Sequence, residues 1–176
     1  MRIIAGRLGG RLFDAPRGQR THPMSDRIRG ALFNALGDIA GLTFLDAFAG
    51  SGALGLEAIS RGAAHATMIE PDKPAQVTIA KNLAGLGVQD RAKLIRAKAQ
   101  SWLATADQTF DIVLCDPPYD DINETLVTRL AGRARAGGTV VLSLPPTSRL
   151  RLPETYELLD SKNYGDATLN FYRKKP

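Results

Sequence analysis

The stretch Asp46-Ala47-Phe48-Ala49-Gly50-Ser51-Gly52-Ala53-Leu54-Gly55 decides the fold. Residues 43–48, which run into it, read as a strand. After it, residues 53–61 read as a helix that Gly62 ends. Glycines spaced G-x-G-x-x-G between a strand and a helix allow a tight turn and close approach of backbone to a ligand. Outward from this unit the pattern repeats. Strands are expected at 66–70, 92–97, 110–115 and 138–144, and helices at 74–86, around Trp102, and at 122–135. The run 110–115 is almost wholly apolar, as a strand covered on both faces must be. Alternation of this kind predicts an α/β, doubly wound, mostly parallel sheet with right-handed crossovers. Residues 156–159 and 167–172 read as a closing β-hairpin through Tyr164-Gly165-Asp166.

Ahead of this core lies a segment of different character. Residues 1–23 are rich in Gly and Arg and predict a β-hairpin turning near Gly9-Gly10, then a loop marked by Pro16, Gly18 and Pro23. A helix follows, with Ser25 as its N-cap, Asp26 in its first turn, an apolar stripe of Ile28, Leu32, Ala35 and Leu36, and Gly37 at its end. We therefore expect a single domain over 1–176, divided into an N-terminal extension (1–37) and a core (42–176).

Charge separates the same two parts. Residues 1–30 hold seven arginines, no lysine and two acids, Asp14 and Asp26; the rest of the chain holds 16 basic and 16 acidic side chains. The whole net charge of +5 thus falls on the extension. Arginine forks grip phosphate bidentately and stack on bases, so a polyanion is the expected partner. Expected contacts are Arg2, Arg7, Arg11, Arg17, Arg20 and Arg27. No apolar run approaches a membrane span, and residues 1–10 lack the apolar core of a signal peptide. One cysteine, Cys115, forms no internal disulfide, and no Cys/His cluster suggests a metal. Cytoplasmic residence without a metal is the simplest reading, and a monomer is expected because nothing suggests an obligate dimer.

Glu70 lies 20 residues past Gly50, at the end of the second expected strand, where a carboxylate accepts from ribose hydroxyls. A nucleoside-containing cofactor is implied. Asp46 selects among such cofactors. A carboxylate there suits the ammonium of S-adenosylmethionine and would repel a pyrophosphate. Expected cofactor contacts are Asp46, Ala47, Phe48, Gly50, Ser51, Gly52, Glu70 and Pro71.

The chemical motif is Asp116-Pro117-Pro118-Tyr119, directly after the fourth expected strand. Prolines fix φ, and Asp116, before one, is pushed to extended backbone. The Asp116 carboxylate and the Pro117 carbonyl then form a rigid pair of acceptors for the two hydrogens of an exocyclic NH2. Held this way, the nitrogen moves toward tetrahedral geometry and its lone pair becomes available. Tyr119 can stack on the base. A nicotinamide dehydrogenase would use the glycines and Glu70 but leave this tetrapeptide idle. Protein-glutamine methylation fits poorly with the arginines. An RNA-binding assembly factor with a vestigial pocket fits poorly with an intact Asp116. Cys115 reads as a small apolar residue in a buried strand rather than a nucleophile.

Residues 46–58, Ser60-Arg61-Gly62-Ala63 and Ile69-Glu70 resemble the bacterial 16S ribosomal RNA guanine-N2 methyltransferases of the small subunit. So do Arg2-Ile3-Ile4-Ala5-Gly6, Gly10-Arg11, Pro23 to Arg29 with Leu32-Phe33-Asn34, the tetrapeptide, and Tyr164-Gly165 with Leu169. The resemblance spans nearly the whole chain. It implies a single Rossmann-like S-adenosylmethionine methyltransferase domain, seven-stranded with an antiparallel last strand. It further implies methylation of guanine N2 in an exposed loop of 16S ribosomal RNA, on RNA or on a small-subunit particle. Adenine N6 methylation of DNA or RNA is the alternative, since the tetrapeptide serves both amines. Two positions depart from the family: Gly30 stands where a glutamate is usual, and Lys98 where an Asp or Asn usually receives the adenine amino group.

Overall fold

The computed structural model describes residues 1–16 and 24–176. Its elements, in chain order, are α1 (Asp26–Leu36), β1 (Thr43–Asp46), α2 (Ala53–Ser60), β2 (His65–Ile69), α3 (Lys73–Leu86), β3 (Ala92–Ile95), α4 (Ala99–Leu103), β4 (Phe110–Cys115), α5 (Glu124–Ala131), β5 (Ala134–Leu144), β6 (Tyr156–Asn163) and β7 (Thr168–Lys174). The strands form one seven-stranded sheet in the order β3-β2-β1-β4-β5-β7-β6. Strands β3 to β5 pair in parallel, and β7 is antiparallel to both β5 and β6. This is the α/β arrangement that the resemblance implies.

Side chains alternate across the sheet with period two. Phe44, Ile112, Leu114, Val141 and Phe171 join one buried layer with residues of α1, α2 and α3. Leu45, Val113, Val140, Leu142 and Tyr172 join the other with α4 and α5. The glycine spacing serves this packing. A Cβ on Gly55 would fall 2.5 Å from Met68 Sδ, so only glycine lets α2 lie this close on β2.

Local caps follow sequence chemistry. The Ser25 side chain accepts from Ile28 N–H, that of Asp72 from Ala75 N–H, and that of Asn123 from Leu126 N–H. Several boundaries differ from expectation, the junction of α5 and β5 among them. The helix expected over 122–135 ends at Ala131, and β5 begins at Ala134 rather than 138. Pairing of Ala134 with Phe110 recruits a helix-prone stretch into the sheet, and the register shifts between there and Thr139. The expected N-terminal β-hairpin is short: Arg2 bridges Leu12 antiparallel, and residues 1–3 exchange backbone hydrogen bonds with residues 10–13 around it. Residues 4–8 instead spend their polar groups on α2. The Ile4 and Ala5 amides donate to Glu57, the Leu8 amide to Ser60 Oγ, and the Arg7 amide to the Ser60 carbonyl. Ile3, Leu8 and Phe13 are buried in the α1–α3 layer.

Candidate active site

A cavity of about 970 Å³ opens at the carboxyl ends of the parallel strands. Its walls bring together three parts of the sequence: Phe48 to Ser51 with Ala53 and Leu54, Glu70 to Asp72, and Asp116 to Asp120. Ligand sites of α/β sheets fall at such ends. Among the expected cofactor contacts, Phe48, Gly50, Ser51, Glu70 and Pro71 line it, whereas Asp46, Ala47 and Gly52 do not. Gly52 faces the core. Its φ is 76°, and a Cβ there would lie 3.1 Å from Ile79 Cγ1.

Glu70 is buried and does more than the spacing suggested. One carboxylate oxygen accepts from the Gly50 amide at 2.7 Å, the other from the Asp72 amide at 2.8 Å. It thereby ties the glycine turn to the end of β2. Burial raises its pKa, and the Asp72 and Gly50 amides draw it back. Carboxylate oxygens each have two lone pairs, so acceptor capacity toward ribose hydroxyls remains.

Asp46 ends β1 with 0 % exposure, and neither carboxylate oxygen has a hydrogen-bond partner. Burial, then the nearby Asp116 charge, push its pKa up to about 7; the backbone N–H groups of Phe48 and Gly55 moderate this and the charge of Glu70 adds to it. An unpartnered buried carboxylate is costly and calls for a cation. The residues present fit S-adenosylmethionine on this ground: a buried carboxyl without a side-chain partner near the glycine turn, and an acidic side chain at the end of β2.

Asp116 leaves β4 beside this centre. Burial lifts its pKa to about 6, and the Ser143 hydroxyl pulls against that rise. Pro117 is buried and Pro118 exposed. Tyr119 is 39 % exposed at the cavity, with its phenol oxygen 3.0 Å from Ser143 Oγ. All four residues of the tetrapeptide line the cavity.

Sequence reasoning missed the opposite wall. Met24, Ser25 and Ile28 of the α1 start, Ser143 of β5, and Asp166 and Ala167 of the β6–β7 turn complete the cavity. Cap and hairpin signals marked Ser25 and Asp166 as local structure, and nothing local reveals that these ends converge.

The arginines divide. Arg2, Arg7, Arg11 and Arg27 are exposed. Arg11 donates to the Gly85 carbonyl and Arg27 to the Tyr164 carbonyl, each at 3.3 Å. Arg17 and Arg20 lie outside the described residues, as does the loop marked by Gly18 and Pro23. Arg29, counted with the basic segment, is fully buried: it donates to the Arg2 carbonyl at 2.7 Å and pairs with Asp26 at 2.9 Å, with Glu57 3.8 Å away. It is part of the fold, not of a surface. Lys98 is exposed, and its carbonyl accepts from the Trp102 amide at the start of α4. Cys115 is buried, and burial pushes its thiol well above the usual range. Among the described residues, no cluster of three His, Cys, Asp or Glu side chains is placed to hold a metal ion, and no helix is long and apolar enough to cross a membrane.

Comparison with known proteins agrees with this geometry. The chain is 44% identical over 120 residues to the ribosomal RNA small subunit methyltransferase D of Escherichia coli strain K12, a match covering 68% of this chain and 60% of that protein. The matched region thus spans about three fifths of the length of that relative. The Haemophilus influenzae protein of the same name matches at 31% over 180 residues, covering 98% of this chain and 93% of its own length. Among solved structures, a putative methyltransferase of Escherichia coli, yhhF, superposes with a TM-score of 0.89 at 33% identity, covering 99% of this chain and 98% of its own. A family model described as conserved hypothetical protein 95 matches residues 1–173. Matched along nearly its whole length, and sharing its fold with these methyltransferases, the chain belongs to the conserved hypothetical protein 95 family.

Proposed function

We propose that the protein transfers a methyl group from S-adenosylmethionine to the exocyclic N2 of a guanine in 16S ribosomal RNA. The observation that carries this reading is the convergence of Asp116 to Tyr119 with the Gly50 turn and Glu70 in one cavity. Relatives named as small-subunit ribosomal RNA methyltransferases support the RNA class.

Asp46, Glu70 and the backbone of Phe48 to Ser51 would hold the cofactor, which supplies an activated methyl on a cationic sulfur. Asp116 in its ionised form and the Pro117 carbonyl accept the two amino hydrogens of the base. The amine's lone pair is then freed from the ring and directed out of the base plane. Asp116 must be charged to accept, so activity falls as pH drops through about 6. Tyr119 offers its ring face to the base and stays tethered through its hydroxyl. Residues 1–37 serve as an RNA-contact extension to the catalytic core, 42–176. Arg2, Arg7, Arg11 and Arg27 supply exposed charge there, with Arg17 and Arg20 continuing the same segment.

The two acceptors recognise an amino group and are indifferent to the ring that bears it. Methylation of adenine N6 is therefore the second reading. Mass spectrometry of nucleosides from the small-subunit RNA of a strain lacking the gene decides between them. Loss of one N2-methylguanosine is expected. Loss of N6-methyladenosine instead favours the second reading, and an unchanged RNA profile refutes both.

A further inference from the structure

We infer that Ser143 is a positioning residue for methyl transfer: its hydroxyl links the Asp116 carboxylate to the Tyr119 phenol and holds both in the geometry that grips an amino group. The inference rests on the reading of Asp116 given above.

Strand register brings the two residues together. Cys115 pairs with Leu142, so the next residues, Asp116 just past β4 and Ser143 within β5, stand side by side at the carboxyl edge. Both line the cavity. Ser143 is buried, and its Oγ lies 3.0 Å from the Tyr119 phenol oxygen. A serine hydroxyl has one hydrogen to give and two lone pairs to receive. With Tyr119 O–H donating to Ser143, the Ser143 O–H is left to donate to the Asp116 carboxylate that the strand register sets beside it. Linked groups of this kind reinforce one another away from bulk water.

The surroundings give that hydroxyl its importance. Asp46 from β1 and Cys115 on β4 crowd Asp116 with acidic or apolar groups, and Tyr119, Asp120 and Asp166 line the same cavity. The lining includes no lysine, arginine or histidine among the described residues. The Ser143 hydroxyl, set beside Asp116 by the β4–β5 register in the same cavity, is placed to favour the charged form of Asp116 against the burial that opposes it. It also restrains the rise that burial imposes on the Tyr119 phenol. Packing alone asks only for a small side chain here, and alanine would supply it.

The test compares Ser143→Ala, Ser143→Thr and Asp116→Asn on small-subunit particles from a strain lacking the protein. It follows kcat against pH at saturating cofactor, with cofactor affinity read by calorimetry. For Ser143→Ala we expect kcat to fall about tenfold. Its acid limb should move upward by about one pH unit, with cofactor affinity within about twofold of the parent. Ser143→Thr, which keeps the hydroxyl, should leave the limb in place. An unmoved limb in the alanine variant, or equal displacement in both, overturns the inference. The asparagine variant separates the two levels. If it turns over normally, the reading of Asp116 fails; if it is dead while the Ser143→Ala limb stays put, only the role of Ser143 fails.

Discussion

Burial lifts the Asp46 carboxyl from the ordinary carboxylate range to about 7, and neither of its oxygens has a hydrogen-bond partner. The sign of the consequence follows from proton linkage. Between about pH 4 and 7 the folded chain takes up a proton that the unfolded chain does not. Stability contributed by this group is therefore greatest below that window and falls as pH rises through it. Above 7 the whole cost of the buried charge is present. Asp46→Asn should raise the melting temperature of the cofactor-free protein by several degrees at pH 8 and by much less at pH 5. The same variant should bind S-adenosylmethionine more weakly. A lower melting temperature at both pH values would mean that the carboxylate already has a stabilising partner. Spacing from Gly50 marks Asp46 and Glu70 in the sequence as candidates for cofactor contact; Glu70 lines the cavity and Asp46 does not. The two amides that occupy Glu70 were not legible, because they come from separate turns that only the folded sheet juxtaposes.

Among the elements, the N-terminal segment pairs as a hairpin only between residues 1–3 and 10–13. Short apolar pairs around Gly9-Gly10 suggest a hairpin, yet a two-stranded ribbon of this length is marginal alone. Residues 4–8 donate instead to Glu57 and to Ser60 of α2, for which no local pattern exists. Gly6 makes this possible. Its φ is 83°, and a Cβ would fall 2.1 Å from the Ser60 carbonyl oxygen. Gly6→Ala should destabilise the protein by roughly 2 kcal/mol or more in urea unfolding, through strained backbone and displacement of the segment from α2. A change below roughly 0.5 kcal/mol would mean that the segment is not clamped there. Elements with strong period were legible to within a few residues, β1 to β4 and α1 to α3 among them. The α5–β5 junction was not. Helix propensity in Ala134-Arg135-Ala136 yields to pairing with Phe110, a partner far away in sequence.

At the scale of the whole molecule, one end of the sheet holds the cavity, and α1 together with the β6–β7 turn supplies its far wall. The exposed Arg2, Arg7 and Arg11 belong to the segment clasped onto α2, so their charge is carried on a fixed scaffold. Replacing these three with alanine should weaken RNA binding. It should also flatten the dependence of log K on log salt by about 0.7 for each single-strand phosphate that the protein then leaves unneutralised. Arg29→Ala should behave differently, lowering stability, because that side chain is buried between α1 and α2 and reaches no solvent. An unchanged salt slope in the triple variant would move the RNA surface elsewhere.

Asp116 is the group on which the proposed chemistry turns, and methyl transfer to small-subunit particles lacking the modification tests its role most directly. Labelled S-adenosylmethionine, followed by nucleoside mass spectrometry, should show one N2-methylguanosine per particle with the parent protein. With Asp116→Ala the rate should fall by at least about a hundredfold, with cofactor binding retained. Transfer by the variant at the parental rate, or a label recovered on another atom, would contradict it.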